Sequence, residues 1–159
     1  MHLLIIACLF VIVKGELSTN VNSCNLGELP LNIYIDNCIN PPCQVIKGQD
    51  IVVNVIFKAP RTMRSMKTLA TAMSFLNYPL GDNEITCNFL ENTYCPVLRG
   101  EVVQYTLRMH IESWFPALPS VDIIFRVVDE NEEPVWCINT NIAVMDSSKS
   151  LQSNGTLIA

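Results

Sequence analysis

Cysteine placement constrains this chain more than any other feature. There are seven cysteines, and one of them, Cys8, lies inside an apolar run from Leu3 to Val13. That run is too short to span a bilayer as a helix. It ends in Val13-Lys14-Gly15, with small Gly15 just before Glu16, the pattern of a cleaved secretory leader. Residues 1–15 are therefore read as a signal peptide. Six cysteines remain: Cys24, Cys38, Cys43, Cys87, Cys95 and Cys137. An even number in an oxidising compartment reads as a disulfide framework, with fifteen possible connectivities for six cysteines. Cys38/Cys43 and Cys87/Cys95 are local pairs. That leaves Cys24/Cys137 as a staple from one end of the domain to the other. Zinc sites usually draw on close Cys or Cys/His pairs, and only one histidine, His110, follows the leader, so a metal site fits poorly.

The remainder has the size of one ordinary domain, and half of the whole chain is hydrophobic, enough for a core that needs no metal. Removing Lys14 with the leader takes the formal charge from −5 to −6. Such an acidic chain is a poor nucleic-acid binder, because phosphate contacts need a basic surface.

From Cys24 onward the apolar period is mostly two. Val103, Tyr105, Leu107, Met109 and Ile111 alternate with Gln104, Thr106, Arg108 and His110, which is a half-buried antiparallel strand. Ile51, Val53, Val55 and Phe57 make a second strand, and Val121, Ile123, Phe125 and Val127 a third. Leu29, Leu31, Ile33 and Ile35 predict an earlier strand, and Trp136–Val144 the last. Thr68–Leu76 also fits a helix face, but its neighbours are strands, so it is read as a strand closed by the turn-rich "NYPLGDNE". "VDENEEP" reads as a solvated hairpin loop rather than a pair of catalytic carboxylates. Seven or so short strands with regular turns predict a β-sandwich. The domain is expected over residues 16–146, followed by a polar, fraying tail over 147–159.

Within "CINPPCQVIKGQD", residues 38–50, the two prolines fix φ and remove two backbone donors. A Cys38–Cys43 bridge would close the loop, and Gly48 supplies turn freedom before the strand at Ile51. This stretch resembles the signature of ML-domain lipid-recognition proteins: Cys, a short Pro-containing loop, Cys, then Lys-Gly leading into a strand. Within that family it is most similar to the Niemann-Pick type C2 sterol carriers. The likeness runs from Cys24 to about Met145 and takes in all six cysteines, "YCP" at 94–96 and "VWC" at 135–137. It implies an all-β, immunoglobulin-like sandwich of two antiparallel sheets, with disulfides 24–137, 38–43 and 87–95 and a lipid pocket between the sheets.

The resemblance also implies pocket residues. Tyr105 matches a pocket-lining strand aromatic and Ile111 an aliphatic wall position. Phe115-Pro116 matches an aromatic-Pro step at the mouth, where the family usually has Tyr. Phe125 falls where the sterol carriers usually have Trp. Tyr78-Pro79 resembles the other aromatic-Pro lip. The competing reading is that these are plain core residues of a sandwich. Phe115 is expected to be more exposed than Tyr105 and Phe125. Phe115 and Phe125 alter the pocket's width and polarity, which leaves the ligand open between a sterol and a fatty acid or other hydrophobic molecule.

Lys58, Arg61, Arg64 and Lys67 recur every three residues. They read either as a docking patch for anionic membrane lipid or as a solvated charge run. Asn154-Gly155-Thr156 is the one standard glycosylation sequon. Enzymatic activity is not expected: His110 sits on a polar strand face, the pattern shows no partners for a triad, and pairing leaves no nucleophilic cysteine. No cofactor is expected. The chain is read as a secreted, monomeric lipid carrier, acting extracellularly or in an endosomal or lysosomal lumen. It would hand its cargo to a membrane or receptor. The alternative is a lipid-sensing co-receptor in innate immunity, which wants a wide pocket ringed by cations. An acidic chain with one basic stripe argues against that.

Overall fold

A computed structural model describes residues 18–147. The signal peptide, the Asn154 sequon and all of the tail but Ser147 lie outside the described residues. The elements in chain order are β1 (Asn22–Ser23), β2 (Asn32–Ile35), β3 (Cys43–Ile46), β4 (Asp50–Lys58), β5 (Met66–Ala72), β6 (Leu76–Tyr78), two 3-10 turns (Gly81–Glu84 and Thr86–Phe89), β7 (Val102–His110), β8 (Leu118–Asp129) and β9 (Pro134–Met145). They form two sheets. The smaller has the order β2-β4-β7, and the larger β1-β9-β8-β5-β6 with β3 also on β9. Pairing is antiparallel except for β3, which crosses over from β2 and lies parallel to β9.

The period-two pattern becomes two facing apolar surfaces, because alternate side chains of a strand point to one side. On the small sheet, Ile51, Val53, Val55 and Phe57 of β4 register with Met109, Leu107, Tyr105 and Val103 of β7. On the large sheet the inner rows run Thr68–Val127–Trp136, Ala70–Phe125–Ile138 and Ala72–Ile123–Thr140 across β5, β8 and β9. All these residues are buried, and the two sheets close on one another to form the core.

The edges are stitched covalently. Cys24–Cys137 ties β1 to β9 and closes a separation of 113 residues. Cys38–Cys43 holds the β2–β3 crossover, and Cys87–Cys95 holds the segment that passes from β6 to β7. Gly48 has φ +74° in the turn before β4, the left-handed region that glycine enters without a Cβ penalty.

Three expectations need correction. The strand expected from Leu29 begins only at Asn32, and Leu29 and Leu31 are exposed; Pro30 between them has no N–H for a ladder. The strand expected over Thr68–Leu76 is two strands, since Met73 and Ser74 both take positive φ and reverse the chain between β5 and β6. Neither residue is a glycine or asparagine, so no turn signal marks the place. The segment read as solvated acids does form the β8–β9 turn, but Asp129 in it is buried. Its carboxylate accepts from the backbone N–H groups of Asn131 and Glu133 and from Arg61.

Candidate functional site

Of the predicted pocket residues, all but the exposed Pro116 come together as two levels of one interior. The first lies where β7 ends. Tyr78, carried there by β6, donates its hydroxyl hydrogen to the carbonyl of His110 (2.9 Å) and accepts from the N–H of Glu112 (2.8 Å). Burial pushes its hydroxyl pKa up, opposed by the bond from Glu112. The Tyr78 ring meets Phe115 edge-on with centroids 5.8 Å apart, a favoured geometry for aromatic pairs. Ile111 is buried beside them, fixed by reciprocal turn bonds with Gln49 and Gly48. The cap thus joins a strand side chain, Tyr78 of β6, to Ile111 and Phe115 from the β7–β8 loop.

Phe115, expected from the sequence to be the more exposed aromatic, is not: it retains 2% of its surface. The exposed residue is its neighbour Trp114, at 62%, with ring centroids 6.0 Å apart. Pro116 is exposed as well. Phe75, in the turn between β5 and β6, is 80% exposed and reaches solvent at the same end. Sequence reasoning passes over Trp114 and Phe75. The Trp114-Phe115-Pro116 run could have signalled a wet partner for Phe115, because three apolar residues in a loop cannot all turn inward.

The second level lies deeper, toward the start of β7. Tyr105 points inward from β7 and its hydroxyl bonds Thr68 Oγ1 (2.7 Å), which bonds Thr86 Oγ1 (2.8 Å). Burial raises the Tyr105 pKa to about 12, opposed by the Thr68 bond, so its proton stays on at any ordinary pH. Trp136 stands opposite on β9, its ring 6.4 Å from Tyr105 and 6.2 Å from Phe57. Phe125 lies on β8 between the two levels, paired with Ala70 and Ile138. The sequence marks Trp136 only as part of a strand. Its inward direction follows from parity, since Ile138, Ile142 and Val144 alternate with Asn139 and Asn141.

The four basic residues are at the far end. β4 starts beside His110 and ends at Lys58, so its nine residues put the stripe roughly 30 Å from the cap. Arg61 is committed there to Asp129 and to the carbonyl of Glu133, and Lys67 pairs with Glu84 at 3.1 Å. Burial pushes the Asp129 pKa up, but the Arg61 bond and the two backbone N–H bonds outweigh it and hold the carboxyl below its ordinary value. Lys58 and Arg64 have no carboxylate within ion-pair distance among the described residues.

A largely apolar interior between two sheets, closed at one end by aromatic side chains, can shelter a hydrophobic molecule. Comparison with known proteins accords with this geometry. The family model described as ML domain matches residues 18–144. None of the curated proteins it was compared with matches. Among solved structures, a Niemann-Pick type C2 protein from Japanese carpenter ant is similar over 79% of this chain and 99% of its own, with TM-score 0.69 and 20% identity. Chicken MD-1 complexed with lipid IVa is similar over 77% of this chain and 87% of its own, with TM-score 0.52 and 13% identity. The family match covers most of the sequence, and the chain belongs to the ML-domain family.

Proposed function

We propose that this protein is a secreted, non-enzymatic lipid carrier that takes one hydrophobic ligand, a sterol or fatty acid among the candidates, between its two sheets. It releases that ligand through the aromatic end to a membrane or receptor. The observation that carries this reading is the Tyr78–Phe115 cap over a continuous apolar interior, with Trp114 and Phe75 exposed beside it. The ML-domain match supports it, as does the lipid held by the MD-1 relative. Three disulfides support an oxidising compartment.

The inner faces are packed on each other, so a ligand must part the sheets. Driving force is available. An acyl chain of about 16 methylenes gains roughly 12 kcal/mol on leaving water, and its methylenes take over the packing that the two inner faces give up as they separate. Aromatic rings such as Trp114 suit the headgroup level of a bilayer, where an amphipathic ring is half wet. Lys58 and Arg64 add attraction to anionic surfaces from the opposite end. The co-receptor reading ranks second, because it wants cations around the pocket opening and these cations stand far from the cap.

Native mass spectrometry of the secreted protein, with the bound molecule extracted and identified, tests the proposal. The expected result is one lipid per chain. A protein that carries no lipid and takes up neither sterol nor fatty acid would overturn it.

A further inference from the structure

Among the buried side chains of the described residues, two polar atoms have no hydrogen-bond partner: Trp136 Nε1 and Thr140 Oγ1. Both face inward from β9, and both side chains belong to the rows that would touch a ligand between the sheets. Orphaned buried donors are rare, because such a group forfeits its bonds to water. A threonine hydroxyl can rotate and can either donate or accept. An indole N–H only donates, and the Trp136 ring is set in place by Phe57 and Tyr105. The same level holds one further spare donor. The hydroxyls of Tyr105, Thr68 and Thr86 carry three protons and make two bonds with each other, so one proton is left over. No lysine or arginine is among the buried residues. An ionised carboxylate brought here would lose its hydration without a counter-charge, whereas a neutral oxygen acceptor would relieve the orphan at little desolvation cost.

We propose that the indole N–H of Trp136 is the polar anchor of the lipid site, and that the site selects a lipid whose leading end carries a neutral acceptor such as a ketone, aldehyde or ester carbonyl. This rests on the carrier reading and adds to it the chemistry of the ligand's inner end. The ligand enters past the cap with its carbonyl first and its hydrocarbon toward Phe115. Trp136 donates to the carbonyl oxygen, and the level of Tyr105 excludes water around the bond.

The test compares a long-chain methyl ketone with the alkane of the same carbon number, measured by displacement of an uncharged fluorescent lipid probe. The parent protein is expected to bind the ketone about tenfold more tightly, the effect of satisfying one buried donor. Trp136→Phe, which keeps most of the ring and removes the N–H, is expected to bind both equally, at the parent's alkane affinity. A parent that binds both alike, or a Trp136→Phe protein that keeps the preference, overturns the anchor and leaves the carrier reading standing. A parent that binds no probe at all overturns both. A second measurement covers a variant that fails to fold. The parent has two tryptophans, so its indole N–H groups give two resonances, separated by Trp114→Phe. The Trp136 resonance is expected to move downfield with ketone and not with alkane, and identical responses to the two ligands contradict the anchor.

Discussion

The two ends of the sandwich are built differently. At the far end, an ion pair and backbone bonds between loops hold the sandwich shut. Arg61 reaches from the β4–β5 loop to the β8–β9 turn and binds the buried Asp129. Met63 and Val97 exchange backbone bonds across the loops at 2.9 Å each way, and Cys24–Cys137 lies on the same half of β9. At the other end the β2–β3 crossover carries Cys38–Cys43, but between β6 and the end of β7 the interior is covered by the side chains of Tyr78, Ile111 and Phe115, with Trp114 and Phe75 exposed. Both ends show apolar residues to solvent, since Tyr94 and Leu98 are exposed at the far one. There Leu98 adjoins the Met63–Val97 backbone pair, not a cap of side chains. A ligand that parts the sheets should do so where side chains close the gap, and the far end should act as the hinge.

That contrast can be broken from the hinge side with the largest effect. Replacing Cys24 and Cys137 together by Ser should cost about 4–5 kcal/mol on the chain-entropy estimate for so long a loop, read as a lower denaturant midpoint. Phe115→Ala comes next. Because Phe115 is buried, removing its ring should cost about 3–5 kcal/mol as well as weakening lipid binding. An unchanged melting temperature would mean the cap does not pack as described.

Asp129→Asn should cost about 2 kcal/mol, because the charge-assisted bond from Arg61 to Oδ2 is lost, while an amide Oδ1 still accepts from Asn131 and Glu133 and Arg61, 32% exposed, regains some water. Its pH dependence has a definite sign. The folded carboxyl titrates below the ordinary value of 3.8, so its contribution is complete above that value and fades as pH falls through the folded pKa. Parent and Asp129→Asn should therefore differ in stability at neutral pH and converge in strong acid. Constant separation at all pH values would remove the charge from the latch.

The smallest effect on stability belongs to the cap's outer face. Trp114→Ala should change stability by no more than about 0.5 kcal/mol yet slow lipid transfer to zwitterionic vesicles. Lys58→Gln with Arg64→Gln should weaken association with anionic vesicles, more so at low salt, and leave transfer to zwitterionic ones unchanged. The opposite pattern would move the exit to the far end.

The alternation of Val103 to Ile111 is enough to predict β7 and its buried face, and cysteine spacing gives the two local bridges, because both are properties of near neighbours in sequence; Cys24–Cys137, 113 residues apart, follows only as the remaining pair. The β5–β6 reversal is hidden because Met73 and Ser74 adopt positive φ without glycine. The fate of the basic stripe is hidden because the partner of Arg61 lies 68 residues away, and a charge run looks the same whether paired or solvated. Tyr105, Phe125 and Phe115 are legible as apolar inward positions. Which aromatic of the Trp114-Phe115 pair faces solvent depends on Tyr78, brought in by a strand that the sequence does not separate from its neighbour.

A lipid held between the sheets must lie against Trp136. A Trp114→Phe protein has Trp136 as its only tryptophan, and Trp136 faces the interior at 1% exposure. Titrating it with a fatty acid brominated along the chain reports contact directly, because bromine quenches indole fluorescence at close range. Strong, saturable quenching by the brominated lipid and none by the unbrominated one is expected. Binding of the brominated lipid with Trp136 fluorescence unchanged would place the ligand outside the sandwich and contradict a site between the sheets.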